Sequence, residues 1–187
     1  MNPIKIEKEK KRFIQFCSMA EISTICISIY IRQLWSTLKK NNLDGLFGYV
    51  DPGRISQKAG RKEQRSNALA LRLQNCKKRQ LIFAPYNKRF HWLLAIIDPY
   101  EELVYYMDSL NWIQIDPGMK DIVELALKMF KAQKGIKGRK KYQLESSKGK
   151  EHCCPLQGGT VECGYYVMKY MKEIIADPSC SIITKAN

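Results

Sequence analysis

Residues 91–98 read His-Trp-Leu-Leu-Ala-Ile-Ile-Asp, and residues 103–108 read Leu-Val-Tyr-Tyr-Met-Asp. Both stretches are short, almost wholly apolar and rich in β-branched or aromatic residues, which predicts two buried strands. The segment from Asp98 to Glu101 contains Asp and Pro, which are typical of a turn. We therefore expect an antiparallel hairpin. Because both faces of this hairpin are apolar, the sheet to which it belongs should be covered on both sides.

The segments that flank the hairpin predict a further strand and several helices. Residues 80–85 (QLIFAP) form another short apolar run, which predicts a third strand. Apolar residues with helical spacing predict helices at 22–40 and 63–76, although the β-branched first half of 22–40 also permits a strand. The fold class is therefore α+β, one domain in which helices flank a small central sheet. The remaining elements are a loop at 41–60, a helix from Asp116-Pro117 to about 132, a strand at 142–145 and a helix at 163–176.

Composition excludes several classes of protein. The chain has 187 residues, of which 45% are hydrophobic, which is too apolar for a wholly disordered chain. Its longest apolar-rich run, 22–31, is shorter than the roughly 20 residues that span a bilayer, and its flanks do not suit a signal peptide. The seven cysteines are odd in number and irregularly spaced, which favours reduced thiols and an intracellular protein.

The chain is strongly basic, with a formal net charge of +14, which favours acidic partners. Its densest basic clusters are 8–12 (KEKKR) and 134–141 (KGIKGRKK). Each cluster fits a solvated surface, a nuclear import signal or a nucleic-acid contact. No aromatic residue is interleaved with the basic ones, which weakens a single-strand-binding interpretation. We expect a nuclear or nucleocytoplasmic protein.

Only two histidines, His91 and His152, could serve as a general base near neutral pH. If the hairpin turn is centred between Pro99 and Tyr100, the numbers of paired residues sum to 199, and His91 lies directly opposite Asp108. Opposed residues have Cβ atoms about 4.5–5.5 Å apart, so the carboxylate could orient the imidazole. The alternative is that both residues merely cap the ends of two core strands.

Cys163 stands where a glycine-containing loop meets the last predicted helix. Such a position favours the thiolate form of a cysteine, and a neighbouring histidine would favour it further. Gly164 should leave room for a substrate backbone, and the amide of Gln157 could donate to a developing oxyanion beside the backbone N–H of Cys163. Taken alone, Cys163 also fits a buried small apolar residue, and Gln157 fits an ordinary loop residue.

Together these motifs resemble the His, Asp, Gln and Cys signature of the ubiquitin-like-protein-specific cysteine proteases, the SUMO-deconjugating and adenain-like group. The order of the four residues, the His-to-Asp interval and the Gln-to-Cys interval all agree. The resemblance covers about 21–176 and is close to plant members, many of which look transposon-associated. The matching stretches are His91-Trp92, Asp108-Ser109-Leu110, and 157–167 (QGGTVECGYYV).

The resemblance implies a papain-like architecture of the SUMO-protease type and a role for each matching residue. Cys163 would be the nucleophile, His91 the base, Asp108 the orienting carboxylate and Gln157 the oxyanion donor. Trp92 resembles the tryptophan that lies over the tunnel for the Gly-Gly tail of the modifier, and it fits an ordinary core tryptophan equally well. The implied activity is cleavage after the Gly-Gly end of a SUMO-type modifier, with no cofactor and no metal.

The resemblance also implies a domain organisation. Residues 1–20 would be a basic arm, and 21–187 would be a catalytic domain that is shortened at its C-terminus and carries a basic insertion at 131–150.

Three other functions remain open. One is a pure nucleic-acid binder, whose binding would weaken steeply with salt. His152, Cys153, Cys154 and Cys163 could form a zinc site, although adjacent cysteines lack the usual two-residue gap. Alternatively, the domain could be a catalytically weak or inactive binding module for a ubiquitin-like protein or a nuclear acidic partner.

Overall fold

A five-stranded sheet with its strands in chain order forms the centre of the molecule. The computed structural model describes residues 21–110, 115–137, 143–146, 156–159 and 161–176. The three inner strands are antiparallel, whereas each edge strand runs parallel to its neighbour. The strands are β1 (Phe47–Tyr49), β2 (Leu81–Lys88), β3 (His91–Asp98), β4 (Leu103–Met107) and β5 (Gln143–Ser146).

Five helices accompany the sheet in the described residues, and three of them begin at a side chain that caps the first turn. Asp116 caps the fourth helix by accepting a hydrogen bond of 2.9 Å from the Met119 backbone N–H, and Pro117 follows at the first helical position. Gly135 ends that helix with φ of 64°, a conformation that glycine adopts without strain. The helices are α1 (Thr24–Lys40), α2 (Pro52–Ile55), α3 (Lys62–Gln74), α4 (Pro117–Lys134) and α5 (Cys163–Ala176), with a 3₁₀ turn at Gln57–Ala59.

The helices cover both faces of the sheet, as the apolar hairpin predicted. On one face, α3 and α4 pack against the side chains of one set of alternating strand residues, among them Ala95 and Val104. On the other face, α1 and α5 pack against the intervening set, among them Leu94 and Ile96. This arrangement confirms the α+β class and the helical interpretation of α1. No helix in the described part of the chain is long and apolar enough to cross a membrane.

Two expectations about the sheet were wrong. The segment 41–60, expected to be a loop, contains β1, α2 and the 3₁₀ turn. β1 has only three residues, and it forms because its backbone pairs with β2, where Phe47 lies beside Leu81. A strand this short leaves no alternating pattern in the sequence.

The register of the β3–β4 hairpin also differs from the prediction by two residues. Asp98 pairs with Leu103, so partner numbers sum to 201 and the loop has four residues, 99–102. The Asp98 carboxylate accepts hydrogen bonds from the backbone N–H groups of Tyr100 (3.0 Å) and Glu101 (3.1 Å), and Glu102 has a positive φ of 56°. These features favour the wider loop over a tight turn. His91 and Asp108 are therefore not directly opposed.

Candidate active site

His91 and Asp108 contact each other although they are not paired across the sheet. Continuing the observed register places Asp108 beside Leu93, two residues along β3 from His91 and on the same face. The imidazole Nε2 and the carboxylate Oδ1 are 2.8 Å apart. The same Oδ1 accepts a hydrogen bond of 2.9 Å from the Leu110 backbone N–H. The carboxylate is thus fixed by its own loop and oriented toward the ring.

The imidazole of His91 also interacts with Cys163, which places it between a carboxylate and a thiol. Burial lowers the pKa of His91, but hydrogen bonds with Asp108 and Cys163 outweigh burial and raise the pKa from 6.5 to about 9. Since Nε2 faces Asp108, the other ring nitrogen, Nδ1, is left for the thiol. The surroundings therefore favour the imidazolium form of His91.

Cys163 is the first residue of α5, as the sequence predicted. Backbone N–H groups in the first turn of a helix have no intrahelical acceptor, so they can bind a negative charge. The Cys163 residue is 0% exposed and belongs to the apolar cluster beneath α1 and α5. Its Sγ lies 3.9 Å from the Phe90 carbonyl oxygen, at the turn between β2 and β3. The sulfur is therefore closed off from solvent in this structure.

Gln157 lies in the loop before α5 and is tied to the residue that follows Asp108. Its backbone N–H donates to the Ser109 carbonyl (3.0 Å), and the Ser109 hydroxyl donates to its side-chain Oε1 (2.5 Å). The same loop is bound to the residue just before α5, because the Gly159 N–H donates to the Glu162 carboxylate at 2.6 Å. The structure thus connects all four predicted residues. Sequence reasoning assigned a role to Gln157 but none to its partner Ser109, which appeared only within the matching stretch Asp108-Ser109-Leu110.

Trp92 and Gly164 form a packed contact rather than an open surface. Trp92 is 1% exposed, and its indole N–H donates to the Ile22 carbonyl at 2.8 Å. A Cβ at Gly164 would lie 2.8 Å from Ile22 Cβ and 3.2 Å from Trp92 Cδ1. The expectation that Gly164 leaves room for a substrate backbone was therefore wrong, because Ile22 and Trp92 fill that space. Contact between Trp92 and a modifier tail stays a prediction.

Several expectations lie outside the described residues. These are the basic arm at 1–20, His152 with Cys153 and Cys154, and the parts 138–142 and 147–150 of the basic segment at 131–150. Within the part of the chain that the structure describes, no group of three or more His, Cys, Asp or Glu side chains could hold a metal ion. The zinc alternative depends on residues beyond that part, so it stays a prediction.

Three solved structures that share the fold are a de-sumoylating protease, a Ulp1 protease domain and the effector protein XopD. A structure described as a de-sumoylating protease superposes with a TM-score of 0.68 at 14% identity, over 87% of this chain and 65% of that one. The C-terminal Ulp1 protease domain in complex with Smt3, the yeast ortholog of SUMO, gives 0.60 at 17%, over 89% and 71%. The Xanthomonas campestris effector XopD bound to ubiquitin gives 0.60 at 17%, over 90% and 82%.

These superpositions show a shared fold, and they confirm the papain-like architecture of the SUMO-protease type. The chain spans less than two thirds of the first of these structures. No curated protein sequence matches the chain. The comparisons do not address the plant or transposon-associated subgroup, and they give no support to a nucleic-acid partner.

The family is shown by the sequence itself. The model of the Ulp1 protease family, C-terminal catalytic domain, matches residues 51–187, which are 137 of the 187 residues. This range contains the His91, Asp108, Gln157 and Cys163 positions that the structure connects. The chain therefore belongs to the Ulp1 family of cysteine proteases.

Proposed function

We propose that this chain is a cysteine peptidase that cleaves after the C-terminal Gly-Gly of a ubiquitin-like modifier, of SUMO type, in processing or deconjugation. The observation that carries the proposal is the position of the His91 imidazole between the Asp108 carboxylate and the Cys163 thiol at the start of α5. A base oriented by a carboxylate and placed against a thiol is the arrangement that activates a cysteine nucleophile.

The reaction proceeds in two steps. The Cys163 thiolate attacks the carbonyl carbon of the terminal glycine, and the imidazolium of His91 gives its proton to the departing amine as the C–N bond breaks. Water then attacks the thioester carbonyl and gives its proton to His91. The C–S bond breaks, the carboxylic acid leaves, and the Cys163 thiolate and His91 imidazolium are restored. The oxyanion of each tetrahedral intermediate is stabilised by the backbone N–H of Cys163 and the amide of Gln157.

The burial of the nucleophile supports a preference for glycine at the cleavage site. Because Cys163 is 0% exposed, the chain segment that reaches its sulfur must be slender. Glycine has no side chain and lets a backbone approach most closely. The structures with SUMO's yeast ortholog and with ubiquitin concern other proteins, and they make both modifiers the natural probes for this one.

The same burial favours a second candidate, a catalytically weak or inactive module that binds a ubiquitin-like protein. A fully buried thiol that does not become accessible when a modifier binds would leave binding without cleavage. A nuclear or nucleocytoplasmic location also belongs to the proposal, supported by the basic clusters of the sequence.

The deciding experiment is covalent labelling with C-terminal electrophilic probes of SUMO and of ubiquitin. Wild type is compared with Cys163→Ser and with Cys76→Ser, a buried cysteine in the cluster on the opposite face of the sheet. We expect one probe to label wild type and Cys76→Ser but not Cys163→Ser. Labelling that persists in Cys163→Ser would remove Cys163 as the nucleophile, and binding of a modifier without labelling would favour the second candidate.

A further inference from the structure

Ser109 makes a short hydrogen bond to the side chain of Gln157, and it is itself almost fully buried. The residue is 1% exposed, and its hydroxyl donates to Gln157 Oε1 at 2.5 Å. Its carbonyl oxygen also accepts from the Gln157 backbone N–H at 3.0 Å. Both the backbone and the side chain of Gln157 are therefore held by one residue that is 48 positions away in the chain.

The opposite end of the Gln157 amide is held as well. Its Nε2 donates to the Gly159 carbonyl at 2.7 Å. If the amide were flipped, two oxygens would face each other at this distance, so Gly159 determines which end carries the nitrogen. An amide nitrogen has two hydrogens, and the Gly159 carbonyl uses one of them. Ser109 on one end and Gly159 on the other thus fix the plane of the amide and the direction of its second N–H.

Ser109 directly follows Asp108, whose Oδ1 contacts His91 Nε2 and is held by the Leu110 backbone N–H. One dipeptide at the end of β4 thereby positions both the base and the predicted oxyanion donor. We propose that Ser109 is a positioning residue, which orients the Gln157 amide toward the oxyanion. This inference rests on the proposed peptidase activity and adds to it a residue that orients the donor.

The expected effect of Ser109→Ala on kcat follows from the loss of one hydrogen bond that holds the Gln157 amide. Loss of one oxyanion donor typically costs about 10²- to 10³-fold in kcat. A donor that is still present but less well oriented should cost less, and we expect Ser109→Ala to lower kcat about 10-fold. Because the substrate's ground state does not depend on this donor, KM should stay within about twofold.

The test is a double-mutant cycle with Gln157→Ala, measured as hydrolysis of the C-terminal 7-amido-4-methylcoumarin derivative of whichever modifier labels wild type. Ser109→Ala should lower kcat in wild type and have no further effect in Gln157→Ala. Ser109→Thr, which keeps the hydroxyl, should restore most of the activity. Ser66→Ala is the matched control. Ser66 is 0% exposed and lies on α3, which packs on the face of the sheet opposite α5. Within the described residues its hydroxyl has no hydrogen-bond partner.

Equal losses of kcat in the two backgrounds would overturn the proposal, because Ser109 would then act independently of Gln157. A rise in KM without a fall in kcat would overturn it too.

A second measurement does not depend on activity. The measurement uses 15N-labelled Cys163→Ala protein as the background. The side-chain amide protons of Gln157 are assigned by their absence when Gln157→Ala is added. We expect these protons to exchange slowly with solvent, and to exchange fast when Ser109→Ala is added. Unchanged exchange would overturn the positioning role, even if wild type cleaves its substrate. Slow exchange that Ser109→Ala abolishes would support it, even if wild type cleaves nothing and the proposed function fails.

Discussion

The Nε2 atom of His91 lies 2.8 Å from the Oδ1 atom of Asp108, and both side chains are largely withdrawn from solvent, at 11% and 22% exposure. A carboxylate in this position both orients the ring and stabilises its charged form. Replacing the carboxylate by an amide of the same shape should leave the fold intact and remove the charge.

We therefore expect Asp108→Asn to lower kcat by about 10²- to 10⁴-fold. Steady-state hydrolysis of a modifier coumarin amide measures the effect, and circular dichroism checks the fold. Asp121→Asn is the control, because that exposed carboxylate pairs with Lys62 at the surface and should have no effect on turnover. Near-normal activity of Asp108→Asn would remove this carboxylate from the site.

The pKa of His91 can be measured directly, since the chain has only two histidines. In a His152→Gln variant, the single remaining imidazole resonance should titrate near pH 9, because hydrogen bonds with Asp108 and Cys163 outweigh the burial that lowers the pKa. In Asp108→Asn, the midpoint should move down. A midpoint near 6.5 with Asp108 present would contradict the arrangement of the charged pair.

The same shift predicts how stability depends on pH. Because the pKa of His91 is raised from 6.5 to about 9, folding stabilises its protonated form. This contribution to the free energy of unfolding is fully present below about pH 6.5 and is lost as the pH rises through about 9. Urea denaturation of wild type and His91→Gln across this range should show the difference in stability shrinking with pH. A difference that grows instead would mean that His91 is held in its neutral form.

Gly164→Ala tests the packed contact at the start of α5. The new Cβ would lie 2.8 Å from Ile22 Cβ, which belongs to a buried, branched side chain and cannot move freely. We expect a loss of about 1–3 kcal/mol in the free energy of unfolding, measured by denaturation. Gly158→Ala is the matched control, because a Cβ there meets nothing within 4 Å and should cost much less. Equal effects of the two substitutions would contradict the close approach of Ile22.

Trp92→Phe tests the hydrogen bond from the indole to the Ile22 carbonyl. The substitution keeps an aromatic ring but leaves a buried carbonyl without this donor, so we expect about 1–3 kcal/mol of destabilisation. Trp35→Phe, at a partly exposed position, should cost less. If Trp92→Phe instead leaves stability unchanged and raises KM for modifier substrates, the indole contacts the substrate rather than Ile22.

Local patterns in the sequence predicted the elements that carry the site. The bounds of β3 were predicted from one apolar run, and the start of α5 at Cys163 was predicted from the change from loop to helical spacing. Asp116 and Pro117 predicted the start of α4 because a cap depends on adjacent residues. These features arise from interactions between residues that are close in sequence.

The features that were not predicted depend on distant or individual contacts. The hairpin register depends on two hydrogen bonds to one side chain, that of Asp98. The wrong register still led to the right neighbour, because a shift of two residues keeps Asp108 on the same face of the sheet. The contacts of Ser109 with Gln157 and of Ile22 with Gly164 join residues far apart in sequence, and no local pattern reports them.

Ile22, Trp92 and Gly164 meet at one point although they lie far apart in the chain, so we expect this contact to form late in folding. The inner strands are neighbours in sequence, so they can pair while the chain is still being synthesised. In contrast, α5 makes its contact with Ile22 only after most of the chain has been synthesised. In the folded structure Ile22, Trp92 and Cys163 belong to one apolar cluster. Until α5 makes this contact, we expect Ile22 and Trp92 to expose apolar surface and the thiol of Cys163 to lack a neighbouring histidine. In a nascent or partly unfolded chain, His91 and Cys163 are therefore apart, and we expect them to come together only with the final packing step.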